Sequence, residues 1–214
     1  MLVKPDIKDE RIIHCLQDEY GLLVSQLTFL PLGADINTAV YRIGSPSGKD
    51  YFLKLRKNVF AEISVAVPQF LSQHGIRAII PPLETRQGQA YTTLDDYAVV
   101  LYPFVEGKDG YEISLSNPQW QAFGAAIRTL HDTRLTPELA SHIPREQFSA
   151  WGRESVTRFQ ELVDETSFTD ETAAALAAFM RSKRGLISTI VSRTDQLAHA
   201  LQARSNELVL CHAD

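Results

Sequence analysis

The stretch "YFLKL", Tyr51–Leu55, decides the fold. Leu53 and Leu55 are apolar and Lys54 lies between them, which is the period-two alternation of a strand with one buried face. Lys54 therefore points to the face opposite the two leucines, where its side chain can reach a phosphate beneath a sheet. A lone strand lysine more often only faces solvent, so the surrounding sequence must decide between these interpretations.

Short β-prone segments surround this strand. The turn-rich "GSPSGKD", residues 44–50, joins it to the preceding strand and predicts a hairpin. A helical repeat follows from Ile63, and Pro68 inside it predicts a kink or an early break. The predicted strands are Val24–Leu30, Ala39–Ile43, Tyr51–Arg56, Gln89–Leu94 and Tyr97–Phe104.

Helices dominate the second half of the chain. Asn117 as N-cap and Pro118 at the first helical position predict a helix after a connector near residues 105–115. The sequence therefore predicts a strand-rich half with one inserted helix, a connector and a helical half. The remaining predicted elements are a first helix capped by Asp6, helices at Trp151–Val163 and Asp170–Arg204, and a terminal strand at Leu208–Asp214.

Two features near the strand lysine are candidates for phosphate binding. The loop before the second strand contains Gly33, Ala34, Asp35 and Asn37, and is small enough for backbone amides to approach a phosphate. It is not the G-x-G-x-x-G motif, and a plain β-turn needs the same residue types. Glu62, eight positions after the lysine, suits an ion pair with it. On its own, however, it is an ordinary acid at a helix start.

The segment "VVLYPFVEG", residues 99–107, combines a strand with a proline. Backbone groups of residues i and i+2 in an extended segment point to the same side. Tyr102 and Phe104 are therefore predicted to present a carbonyl and an amide to the edge of an adenine, while Pro103 directs its backbone the other way. The alternative is an edge strand that carries a proline.

Composition excludes several classes of partner. The 214 residues carry a formal net charge of −5 with scattered basic residues, which argues against nucleic-acid and anionic-membrane surfaces and favours a cationic small molecule. The N-terminus lacks the apolar run of a secretory signal, so we expect a cytoplasmic location. Cys15 and Cys211 are expected to be buried free thiols. One acidic cluster is either a solvated surface or an attraction for a cation: Glu161, Asp164, Glu165, Asp170 and Glu171.

The order of these parts is typical of kinase-like folds. Six motifs in one order resemble the aminoglycoside phosphotransferase and choline kinase family, closest to its spectinomycin phosphotransferase branch: "GADINTAVY", "YFLKL", "FAEI", "LYPFVEG", "QAFGAAIRTLHDT" and "LVLCHAD". The resemblance implies an α+β, protein-kinase-like fold. Residues 1–104 would form a nucleotide-binding N-lobe, a small antiparallel sheet with one inserted helix. Residues 105–214 would be the hinge and the first part of a helical, substrate-binding C-lobe.

The resemblance also implies a chemistry and a role for each candidate residue. ATP with Mg²⁺ would donate the γ-phosphate to a hydroxyl of a small molecule, and such enzymes confer antibiotic resistance. The implied roles are a phosphate-orienting pair in Lys54 and Glu62, a phosphate loop at residues 33–37, an adenine-side hinge in Tyr102 and Phe104, a catalytic acid or base in Asp214, and a structural anchor in His212.

In the family pattern a loop asparagine and an acidic metal ligand follow the catalytic aspartate, and both would lie beyond Asp214. We therefore expect an N-terminal portion of an enzyme, without its own Mg²⁺ ligands, inactive by itself and prone to self-association through exposed apolar surface. Three alternatives remain open. The chain is a catalytically dead kinase-like nucleotide-binding module, an α+β protein without a nucleotide site, or part of a kinase of choline, homoserine, fructosamine or methylthioribose.

Overall fold

The computed structural model describes residues 3–33, 35–58, 60–108, 110, 112–149, 151–204 and 207–211. These residues form an α+β fold with an antiparallel sheet and a series of helices, as the sequence predicted. The elements are α1 (Asp9–Tyr20), β1 (Gln26–Leu30), β2 (Thr38–Gly44), β3 (Asp50–Lys57), α2 (Ile63–Gln73), β4 (Thr92–Leu94), β5 (Tyr97–Pro103), α3 (Asn117–Asp132), α4 (Pro137–His142), α5 (Arg153–Glu165), α6 (Glu171–Ser182) and α7 (Arg184–Gln202).

The strand order is β1-β2-β3-β5-β4, with every neighbouring pair antiparallel. β2 and β3 form the predicted hairpin, and β3 lies at the centre of the sheet. Lys54 stands opposite Val40 of β2 and opposite Val100 of β5. The strand that carries the lysine is therefore held on both sides.

One face of the sheet packs against α1 and forms the core. Leu53 and Leu55 are fully buried there, because alternate residues of a strand point to the same face. Ile12 and Leu16, one helical turn apart on α1, are also buried, with 1% and 0% of their surface exposed. The buried cluster consists of Ile7, Ile12, Leu16, Ala39, Tyr41, Ile43, Leu53, Leu55, Val99 and Leu101.

Two helices differ from their predictions near the N-terminus and at Pro68. The first begins at Asp9 with Lys8 as its N-cap, so Asp6 is not the cap. α2 continues through Pro68, and the early break predicted there is wrong. Val65 and Leu71, on either side of the proline, are each only 2% exposed. Their burial offsets the lost backbone hydrogen bond.

The helical region divides into more pieces than the sequence indicated. α4 was not predicted, and the single helix expected over Asp170–Arg204 is two helices, α6 and α7, which meet at Lys183. The backbone of Lys183 leaves the helical region, with φ −102° and ψ 5°, and its N–H caps the end of α6. α3 begins with a capping box in which Ser116 is the N-cap, one residue earlier than predicted.

Two compact units are present. The described residues up to Ile143, together with Leu210 and Cys211, form one, and Pro144–Val209 form the other. In the first unit, the apolar stripe of α3 leaves Trp120 and Phe123 56% and 54% exposed. The boundary predicted at residue 104 separates a nucleotide-binding part from a substrate-binding part. The division into compact units does not test it, so it stays a prediction.

The end of the chain differs from the predicted strand. Residues 207–211 are irregular, and the sheet of the described chain contains only β1–β5. Cys211 is exposed rather than buried, whereas Cys15 is half-buried. Ala34, His212 and Asp214 lie outside the described residues. Within the described part of the chain, no helix is both long enough and apolar enough to cross a membrane.

Candidate functional site

Lys54 lies on the sheet face opposite the α1 core, as the alternation in β3 predicted. Its side chain is half-buried, between the buried residues Val40 and Val100 of the neighbouring strands. The same face of β3 also carries Phe52 and Arg56, because they are two residues away on either side. This polar face of the central strand is the frame of the candidate site.

The loop between β1 and β2 is closed by its own side chains. Gly33 has φ 93°, a conformation that favours glycine. The Asp35 carboxylate accepts hydrogen bonds from the Asn37 N–H at 2.9 Å and from the Thr38 hydroxyl at 2.8 Å. The Lys57 N–H donates to the Asn37 carbonyl at 2.8 Å, which ties the loop to the end of β3.

Electrostatics connect this loop to Lys54. The two hydrogen bonds lower the pKa of Asp35, and the positive charges of Arg56 and Lys54 lower it further. The structure thus brings Asp35 into the field of the strand lysine, although the two residues are 19 positions apart in the sequence.

Glu62 makes a different contact from the predicted one. It is the N-cap residue of α2, is exposed, and its carboxylate accepts a hydrogen bond from the Tyr91 hydroxyl at 2.5 Å. This bond raises the pKa of Tyr91. Among the ion pairs of the described residues, none joins Lys54 to Glu62. The structure therefore joins Glu62 to Tyr91 rather than to Lys54.

The predicted hinge has its backbone fixed by β3. The Phe104 N–H donates to the Asp50 carbonyl at 3.2 Å, so this amide is engaged in the sheet. Because backbone groups of a strand alternate in direction, those of Tyr102 also face β3, whereas the Pro103 C=O faces away from it. Within the described chain the Val105 N–H has no hydrogen-bond partner. The backbone groups open to a ligand are thus one residue later than expected.

Side chains near the hinge include two that the sequence reasoning missed. Phe52 stands opposite Tyr102 in the ladder, with ring centres 6.5 Å apart and planes tilted by 58°. Arg42 lies over the Phe104 ring, 4.2 Å from its centre. Phe52 was identifiable from its position two residues before Lys54, on the same face. Arg42 had no such signal, because only the strand register brings it to the hinge.

Two members of the acidic cluster have structural partners in the unit Pro144–Val209. Asp164 forms an ion pair with Arg184, and Asp170 caps α6 by accepting from the Ala173 N–H at 2.8 Å. The same unit contains a cavity of about 180 Å³ lined by residues of α5 and α7. The buried amide nitrogen of Gln160, which lines it, has no partner among the described residues. Among all the residues that the structure describes, no group of three or more His, Cys, Asp or Glu side chains converges to hold a metal.

Comparison with known structures supports the kinase-like fold. The crystal structure of spectinomycin phosphotransferase APH(9)-Ia in complex with ADP and spectinomycin is 28% identical, with a TM-score of 0.86 over 98% of this chain and 64% of that chain. Its AMP-bound complex is 26% identical, with a TM-score of 0.82 over 97% of this chain and 64% of that one. An aminoglycoside phosphotransferase from Alicyclobacillus acidocaldarius shares the fold at 18% identity and a TM-score of 0.53, over 85% of this chain and 51% of its own.

Sequence comparison extends over most of the chain. No curated protein has a significant match. This chain spans 64% of the length of the spectinomycin phosphotransferase that it matches. The family model described as the phosphotransferase enzyme family matches residues 28–214. The chain therefore belongs to the phosphotransferase enzyme family.

Proposed function

We propose that this chain binds ATP and forms the nucleotide-binding part of a kinase that phosphorylates a hydroxyl of a small molecule. The observation that carries the proposal is the half-buried Lys54 of the central strand, on the sheet face opposite the α1 core. Bound ADP and AMP in the related crystal structures support it. ATP would supply the phosphate, and the residues of this chain would hold and orient it.

Lys54 is the proposed partner of the phosphates. Its ammonium group is the compact cation that suits phosphate oxygens, and the half-buried position strengthens the attraction relative to open water. The loop at residues 33–37 would add backbone N–H groups other than that of Asn37, which already donates to the Asp35 carboxylate. Glu62 would orient the lysine after releasing the Tyr91 hydroxyl, and this exchange is part of the proposal.

The base is proposed to meet the end of β5. The Pro103 C=O and the Val105 N–H supply an acceptor and a donor on one side, which matches the edge of an adenine. This assignment replaces the Phe104 amide, whose N–H is engaged by Asp50. The Phe52 and Tyr102 rings offer apolar surface on which the base can stack.

Asp214 is proposed as the catalytic acid or base, on the strength of the family resemblance. Phosphoryl transfer also requires Mg²⁺ to neutralise the phosphate oxygens. The described residues do not fit such an ion, because no three suitable ligands converge there. We therefore derive no step through the metal, and its ligands beyond Asp214 remain a proposal.

Spectinomycin or a related cationic aminocyclitol is the proposed acceptor, because a relative of 28% identity was crystallised with it. Choline, homoserine, fructosamine and methylthioribose are the competing acceptors. Asp164 and Asp170 already have structural partners, so any attraction by the acidic cluster falls to Glu161, Glu165 and Glu171. Replacing these three by glutamine should weaken spectinomycin binding at low salt and leave it unchanged at high salt. Equal binding at low salt would make the cluster a surface feature.

Calorimetric titration tests the proposal most simply. ATP should bind, and Lys54→Ala should weaken it by about tenfold or more, since a hydrogen bond to a charged group contributes about 1.5–3 kcal/mol. Lys49→Ala is the matched control, because Lys49 is an exposed lysine just before the same strand. Equal affinities for the wild type and Lys54→Ala would remove the lysine from the site. Failure of the wild type to bind any nucleotide would contradict the proposal itself.

A further inference from the structure

Arg42 on β2 contacts three different groups at the hinge. Its Nε donates to the Asp50 carboxylate at 2.6 Å, and its Nη2 donates to the Glu106 carboxylate at 2.5 Å. The guanidinium carbon lies 4.2 Å from the centre of the Phe104 ring. The Asp50 carbonyl accepts the Phe104 N–H at 3.2 Å, which closes the network. These four residues, Arg42, Asp50, Phe104 and Glu106, are called the hinge clamp.

The hinge clamp holds the residues on either side of Val105. Phe104 is held through both its amide and its ring, and Glu106 is held through its carboxylate. Each residue has only two soft backbone dihedrals, so a segment fixed at positions 104 and 106 leaves the peptide between them little freedom. These restraints should therefore limit the directions that the Val105 N–H can take, and this N–H has no partner in the described chain.

We propose that Arg42 is a positioning residue for nucleotide recognition, which acts by fixing the direction of the Val105 N–H before the base arrives. The inference rests on the proposed function, because Val105 is the donor assigned there to the base. Arg42 itself contacts neither the base nor the phosphates in this account. It stands opposite Phe52 in the strand ladder, which links the clamp to the ring on which the base would stack.

The energetics separate this role from fold stability. The side chains of Arg42, Asp50 and Glu106 are 40%, 32% and 74% exposed, so each ion pair alone contributes little to stability. A planar guanidinium can bridge two carboxylates while it stacks on a ring, and a lysine ammonium cannot. Ordering the hinge before binding reduces the entropy lost on binding. Removal of the clamp should therefore lower affinity for the base more than it lowers the unfolding midpoint.

The experiment compares adenosine, which has no phosphate, with ATP. Arg42→Met should weaken both ligands by the same factor, about three- to tenfold, because the defect lies at the base. Arg42→Lys should fail to restore binding. Lys54→Met should weaken ATP and leave adenosine unchanged. Arg11→Met is the matched control and should change neither, because Arg11 forms a two-bond ion pair with Asp95 away from the hinge.

Amide hydrogen exchange adds a readout that needs no ligand. In Arg42→Met the Phe104 amide should exchange faster while the amides of β2 and β3 stay protected. Glu106→Gln, which keeps the Arg42 to Asp50 pair, should give a smaller change in the same direction. The proposal is overturned if Arg42→Met binds adenosine as the wild type does, if it weakens ATP alone, or if Arg42→Lys restores full affinity. A wild type that binds neither ligand would instead refute the proposed function, and the role of Arg42 with it.

Discussion

The two faces of the sheet divide stability from binding. The α1 face is apolar and closed, with Tyr41, Leu53 and Leu55 all 0% exposed. The opposite face carries Lys54 and Arg42 and leaves them half-buried. Adjacent residues of one strand thus serve different purposes, because the strand pleat sends them to opposite sides. The comparison teaches that a residue's role in β3 follows from its parity in the strand.

Substitutions at the neighbouring residues Leu53 and Lys54 should have different effects on the free energy of unfolding. Leu53→Ala removes a fully buried side chain and leaves a cavity, so the free energy of unfolding should fall by about 2–5 kcal/mol. Lys54→Ala should lower it by less than about 1 kcal/mol. Urea denaturation of both variants measures the difference. Equal losses would show that the two faces do not divide the roles.

Two tyrosines of the core face should respond in opposite directions. The buried Tyr41 hydroxyl has no hydrogen-bond partner in the described chain, and burial raises its pKa to about 12. Tyr41→Phe should therefore stabilise the protein by about 1 kcal/mol. The Tyr20 hydroxyl donates to the Val99 carbonyl at 3.0 Å, so Tyr20→Phe should destabilise it by a similar amount. Thermal unfolding of both variants measures these effects. A Tyr41→Phe variant less stable than Tyr20→Phe would contradict the prediction.

The pKa of Asp35 should respond to the charge of Lys54, on the sheet face opposite the α1 core. Its pKa lies below the ordinary value of 3.8, because hydrogen bonds and then the charges of Arg56 and Lys54 favour the ionised form. Because this pKa is lower in the folded state, the ionised Asp35 carboxylate stabilises the fold. Its contribution is complete above pH 3.8 and is lost as the pH falls through the folded-state pKa. Carboxyl NMR should find a titration midpoint below 3.8, and Lys54→Met should move it upward. A midpoint unaffected by Lys54→Met would separate the loop from the lysine.

Much of the fold was accessible from the sequence because local rules determine it. The alternation around Lys54 predicted both faces of β3, and the turn at residues 44–50 predicted the hairpin. The start of α1 and the junction at Lys183 were missed, since cap geometry and tertiary packing decide them. The break at Pro68 failed for the same reason, because burial on both sides of the proline outweighs its local preference.

The site was less accessible, because it depends on which groups are already engaged. The parity argument for residues 102 to 104 was sound in form, but the sequence does not reveal that Asp50 accepts the Phe104 N–H. In the same way, nothing local indicates that Tyr91 holds Glu62 or that Arg42 reaches Glu106, 64 positions away. Such contacts follow from strand register and long-range packing, which a single sequence does not encode in a readable pattern.

An amide chemical-shift titration with ADP tests the central claim most directly. If the polar face of the sheet binds the nucleotide, the largest changes should fall on the Val105 amide, on the loop amides of Asn37 and Thr38, and on β3 around Lys54. The α1 amides and those around the cavity between α5 and α7 should stay unchanged. Saturable changes confined to α1, or to the residues around Gln160, would contradict the account.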